Sequence, residues 1–210
     1  MKSKKTFKNL LLMVLVLLLA MGAAACRSED LPASESDSQH TEEPADPQEL
    51  YQLRATAASL ASSKLLAEIG TSSKDYAGMY ADELGCVVFC VTEEATIARC
   101  EEILTSDVLM SCVQEAREML ELNEDDTADV AADELVRYEV KKYSFAMLEG
   151  AQDLLEPVME KYEISLLSLD QSENVLKIST VNDELRPEIL AYLQENGYPE
   201  SMVCFEQSDG

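Results

Sequence analysis

ISLLSLDQSENVLKISTV, residues 164–181, holds two apolar stretches around a polar turn from Asp170 to Asn174. Runs of this composition on either side of a turn cluster predict a β-hairpin. Leu176 and Ile178 alternate with Lys177 and Ser179, so one face is apolar and the other wet. A second hairpin is predicted upstream, in DYAGMYADELGCVVFCVTEE, residues 75–94, with Gly85 supplying a positive φ at its turn. Its second strand, CVVFCV, is apolar on both faces and reads as central. The two segments align with Asp82 against Asp170, and each runs on into a helical pattern. This is a weak internal repeat of two ββα-type halves. The fold class that follows is α+β, with antiparallel sheet and helices mainly on one face.

The remaining pattern is helical with short strands. Leu50 to Ile69 reads as a helix started by Asp46 and Pro47 and ended by Gly70, with a narrow apolar stripe that predicts loose packing. Thr92 is the expected cap of a helix carrying Ala95, Ala98 and Ile103. The next helix is expected over Asp107 to Leu122, with Val108, Met110, Val113, Met119 and Leu122 inward. Val136 to Lys142 reads as an edge strand. Ser144 caps a predicted helix from Phe145 to Tyr162, kinked by Pro157. A helix capped by Asn182 or Asp183 and a last strand from Met202 to Glu206 complete the chain.

At the other end, Lys2, Lys4, Lys5 and Lys8 precede an apolar run from Leu10 to Ala25. This is the charged n-region and apolar h-region of an export signal. At about 1.5 Å per helical residue the run spans about 24 Å, short of a bilayer core of about 30 Å. Ala23-Ala24-Ala25-Cys26 resembles the lipobox of bacterial lipoproteins, with Ala23 in place of the usual Leu. The resemblance implies that Cys26 is diacylated and becomes the mature N-terminus. Two acyl chains suffice for stable anchoring. Residues 27–49, RSEDLPASESDSQHTEEPADPQE, lack the apolar content to fold and read as a tether. The expected organisation is a signal peptide over 1–25, a lipidated cysteine and acidic tether over 26–49, a helix and linker over 50–74, and an α+β domain over 75–210. The expected location is the extracytoplasmic face of the cell membrane.

With 16 basic and 41 acidic side chains the net charge is −25, which argues against nucleic acid as a partner. The sole histidine, His40, lies in the tether. The folded part therefore lacks the base of a Ser-His-Asp constellation, and no carboxylate pair stands out among so many acids. No cofactor-binding signature and no metal site are expected, and the chain is not expected to be an enzyme. Five cysteines follow Cys26: Cys86, Cys90, Cys100, Cys112 and Cys204. They read as small buried hydrophobes, with a single disulfide such as Cys90–Cys204 or Cys86–Cys100 as the competing reading. NEDDTADVAADE, residues 123–134, fits a calcium loop poorly: Asn123 stands where Asp is usual, and Ala128 where the turn needs Gly.

The run YAGMYADELGCVVFCVT (76–92), followed by KYSFAMLEGAQDLLEPVMEKYEISLLSLDQSENVLKISTV (142–181), resembles the pro-region of streptogrisin and alpha-lytic-type secreted serine proteases. The shared features are Tyr76-Ala77-Gly78, Val91-Thr92, Ser144 and the Asp170 to Asn174 turn. In that family the pro-region folds beside a protease, assists its folding and inhibits it through its C-terminal segment. Here the matching position is Val203 to Gly210, with no protease domain after it in this sequence. The resemblance implies chaperoning or inhibition of a secreted serine protease, or of another extracytoplasmic protein, in trans. Met202, Val203, Cys204, Phe205 and Glu206 are the expected partner-binding strand. The alternative reading is a receptor lipoprotein for a small molecule or cation.

Overall fold

The computed structural model describes residues 46–122 and 130–206. Cys26, residues 27–45 of the expected tether, the calcium-loop positions 123–129 and the last four residues lie outside this range; residues 47–49 belong to the first helix.

Both hairpins form where the sequence places them. β1 (Tyr76–Ala81) pairs antiparallel with β2 (Val87–Val91), and β4 (Ile164–Asp170) with β5 (Val175–Thr180). Each hairpin is preceded by a helix and followed by a helical crossover to a third strand. In the first half, α1 (Pro47–Ile69) comes before β1, and α2 (Glu94–Ile103) and α3 (Ser106–Leu120) lead to β3 (Val136–Val140). In the second, α4 (Phe145–Leu155) comes before β4, and α5 (Arg186–Glu195) leads to β6 (Val203–Glu206). The fold is thus α+β in two similar halves, αββααβ in the first and αββαβ in the second.

The sheets are mixed rather than antiparallel throughout. β3 runs parallel to β2, and β6 parallel to β5. A helical crossover carries the chain back to the starting end of the sheet, so the third strand must run parallel to the second. Strand orders are β1-β2-β3 and β4-β5-β6; β2 is central and β3 an edge, as expected, and β5 is central as well.

Two large apolar cores follow, each between one sheet face and helices, and a small third cluster of Ala77, Val88 and Cys90 is buried on the other face of the first sheet. The first gathers Leu53, Ala57, Ala61 and Leu65 of α1 with Phe89, Val91, Cys112, Val113 and Ala116. The second gathers Leu148, Leu155, Leu176, Ile178, Ile189, Leu193 and Met202.

Several helix details differ from expectation. α1 does not pack loosely: Leu53, Ala57, Ala58, Ala61 and Leu65 are all fully buried. Its alanines let α3 approach closely, and that contact sets the phase of α3. Cys112, Val113 and Ala116 point in, while Met110 and Met119 are exposed, the reverse of what their hydrophobicity suggests. Thr92 does not cap α2; its hydroxyl donates to Lys74 O, and Glu93 is the N-cap. Pro157 ends α4 rather than kinking it. The α-helix stops at Leu155 and a 3-10 turn over Glu156–Val158 takes over, because proline has no N–H for the ladder. α5 starts only after a 3-10 turn at Asp183–Leu185, with Asn182 Oδ1 accepting from Glu184 N.

Candidate functional site

The halves meet where the tip of the second hairpin docks on β1. Asn174 is buried at the end of that tip with φ +57. Its Oδ1 accepts from Tyr143 N at 2.8 Å, and its Nδ2 donates to Tyr143 O at 2.9 Å and to Ala77 O at 3.5 Å. Gln171 Oε1 accepts from Met79 N at 2.7 Å. That bond needs Gly78, whose φ is +118 and where an added Cβ would lie 2.8 Å from Gln171 Oε1. Lys141 Nζ donates to Ser172 O at 2.7 Å and also pairs with Glu139. Phe145 of α4 packs against Tyr76 in a tilted ring contact, centroids 5.6 Å apart, and ties α4 to the first core.

Beside this joint lies an open cleft of about 430 Å³. Met79 and Tyr80 of β1 form one wall, and Ser168, Leu169, Gln171 and Ser172 the other. Lys177, Asp170 and Glu206 line it from the open face of the second sheet. Lys177 Nζ lies 2.7 Å from Asp170, 3.5 Å from Glu173 and 3.7 Å from Glu206. The ammonium of Lys177, helped by the Ser172 hydroxyl, holds the Asp170 carboxyl well below the usual range, and Asp170 in turn raises Lys177. A cation already shared by three carboxylates is a poor anion receptor. On the other wall, burial pushes the Tyr80 hydroxyl up, and its hydrogen bond with Glu139 adds to the shift.

The five residues expected to bind a partner do not form one surface. Met202 is fully buried in the second core, in a 3-10 turn before the strand. Val203 and Phe205 pack against that core, and the Arg186 guanidinium lies 5.1 Å over the Phe205 ring. Cys204 and Glu206, opposite Lys177 and Ser179, face the open side. Met202 failed because an apolar residue just before an edge strand is as suited to the core as to a partner.

Cys86, Cys90, Cys100, Cys112 and Cys204 are all free, and the first four are buried, so neither disulfide forms. Burial pushes the Cys90 and Cys100 thiols up to about 11, away from nucleophilic character. Among the described residues no group of three or more His, Cys, Asp or Glu side chains could hold a metal ion. No described helix is long and apolar enough to cross a membrane.

Sequence reasoning missed the contact of Gln171 with Gly78 that forms the joint beside the cleft. A signal existed: a glycine inside a strand marks a bulge or a close approach, and β1 carries such a bulge between Tyr76 and Gly78. No family model matches this chain, and no curated protein is similar to it.

Proposed function

We propose that this chain is a membrane-anchored, extracytoplasmic docking module without catalytic activity, which chaperones or inhibits a secreted serine protease in trans. The anchor is the acylated Cys26, and the polar residues 27–45 ahead of α1 give the folded part its reach. The observation that carries the reading is the placement of the helices. They cover one face of each sheet, which leaves the second sheet's open face and the C-terminal strand β6 at its edge for a partner. The protease is named by the pro-region resemblance of residues 76–92 and 142–181.

The test mixes the full chain, in detergent, with secreted serine proteases of the same organism. A complex at micromolar concentration, with slowed proteolysis or faster refolding of the protease, is expected. No complex and no effect on any of them would reject the role. Mass spectrometry of the native protein is expected to find two acyl chains on residue 26, and a bare cysteine would reject the anchor.

A further inference from the structure

Among the described residues the two sheets present four edges, and three of them carry a device against further pairing. The β1 edge is closed by the Gln171 side chain on Met79 N. The β3 edge alternates Arg137 and Glu139 through its five residues. β6 is only four residues long, and Arg186 lies over its Phe205 and donates to its Glu206 carbonyl at 3.4 Å. Short edges, charge and covering groups are the usual means of discouraging strand addition.

β4 is different. From Ile164 to Leu169 it carries no charge and no proline, in a chain where 27% of residues are charged. Its one irregularity, a bulge between Ile164 and Leu166, lies at its start. Ser165 and Leu166 are exposed, Leu166 at 51%. At its other end Ser168 and Leu169 form a wall of the cleft, facing Met79 and Tyr80. An extended segment laid along β4 would therefore run into a preformed groove. Every second residue of such an edge offers its N–H and C=O outward.

Charge selects the occupant. Glu160 and Glu163 are exposed before β4, and Glu173 is exposed after it. The nearby cations are engaged: Lys161 lies on the Tyr162 ring, and Lys177 among its carboxylates. A second copy pairing antiparallel through β4 would set the Glu163 end of one strand against the Glu173 end of the other, like against like. A strand with basic ends meets acid at both.

We infer that β4 is the docking edge, and that it takes an extended segment of an extracytoplasmic protein with alternating apolar residues and Lys or Arg at its ends. This rests on the docking role proposed above and moves its principal edge from β6 to β4.

The probe is the peptide acetyl-Lys-Thr-Val-Thr-Val-Thr-Lys-amide, titrated into the full chain by calorimetry. Binding is expected to protect the β4 amides from hydrogen exchange. Leu166→Lys charges an exposed position and is expected to weaken binding about tenfold or more, a loss of about 1.4 kcal/mol, without moving the melting temperature. Met110→Lys, at an exposed position of α3, is expected to leave it unchanged. Equal binding by a peptide N-methylated at alternate residues, or by one ending in Glu, would overturn the inference. So would loss of binding in Met110→Lys but not in Leu166→Lys, or a dimer in sedimentation that Leu166→Lys dissolves. A protease complex that survives Leu166→Lys would remove the β4 edge and keep the docking role. Peptide binding with no protease complex would keep the edge and remove the protease.

Discussion

The two halves share one frame and differ at their edges. Both run helix, hairpin, helical crossover and third strand in the same strand order, and both bulge near the start of the first strand. Both open the hairpin turn with an aspartate. Asp82 Oδ1 accepts from Leu84 N and Cys86 N, and Asp170 Oδ1 accepts from Ser172 Oγ and Glu173 N. Each aspartate also meets a cation, Arg137 in the first half and Lys177 in the second. Beyond that they part. The first half mixes Leu and Val with the small residues Ala and Cys and the single Phe89 in its core under three helices, and its edges are guarded. The second builds its core from Leu and Ile under two helices and leaves one edge bare. The frame thus supports folding, while the edge residues decide where anything else can attach.

The largest expected effects test whether the halves are one cooperative unit. Phe89→Ala and Leu176→Ala each remove a fully buried side chain, at a cost of about 3–5 and 2–5 kcal/mol. If the joint couples the halves, either change exposes β2 and β5 amides together in hydrogen exchange. Separate exposure would show two independent domains.

Next comes the joint itself. Asn174→Ala leaves the buried Tyr143 N–H and C=O without their partner and is expected to cost about 2–3 kcal/mol by denaturant unfolding. Asn174→Gly restores freedom at φ +57 but not the amide, so it is expected to recover only part of the loss. Full recovery would mean that the backbone, not the hydrogen bonds, matters there.

Gly78→Ala is expected to cost about 1–3 kcal/mol, because it adds strain at φ +118 and a clash with Gln171. Combining it with Gln171→Ala removes the 2.8 Å contact with Oε1, keeps a 3.1 Å contact with Cβ and leaves the strain. A double-mutant cycle with no coupling would overturn the contact as the reason for the glycine.

The smallest effect is electrostatic. The folded pKa of Asp170 is depressed, so its contribution is present above the unfolded value of about 3.9 and lost as pH falls through the folded one. Lys177 is raised, so its contribution is present below about 10.4 and lost as pH rises through its folded value. Asp170→Asn is expected to flatten the loss of stability below about pH 4. An unchanged acid limb in urea titrations would refute the pairing.

The hairpins, the Asp46 and Ser144 caps and the Gly70 stop were legible because each depends on residues close in sequence. The phase of α3 was not, since the alanine face of α1 decides it from some fifty residues away. The parallel third strands were hidden for a similar reason: strand direction follows from how a helix crosses over, not from the strand's own residues. Of the candidate site, β6 was readable as a terminal strand, but the burial of Met202 and the cover of Arg186 over Phe205 depend on tertiary packing.

The stopper on β1 belongs to a residue that is made late. A chain that leaves the ribosome N-terminus first completes its first sheet before Gln171 has arrived. For that interval the Met79 amide has no cover, and a neighbouring nascent strand could occupy it. The second hairpin thus acts as the first half's own escort, and a protein truncated ahead of residue 171 should aggregate through β1 however well its core has formed.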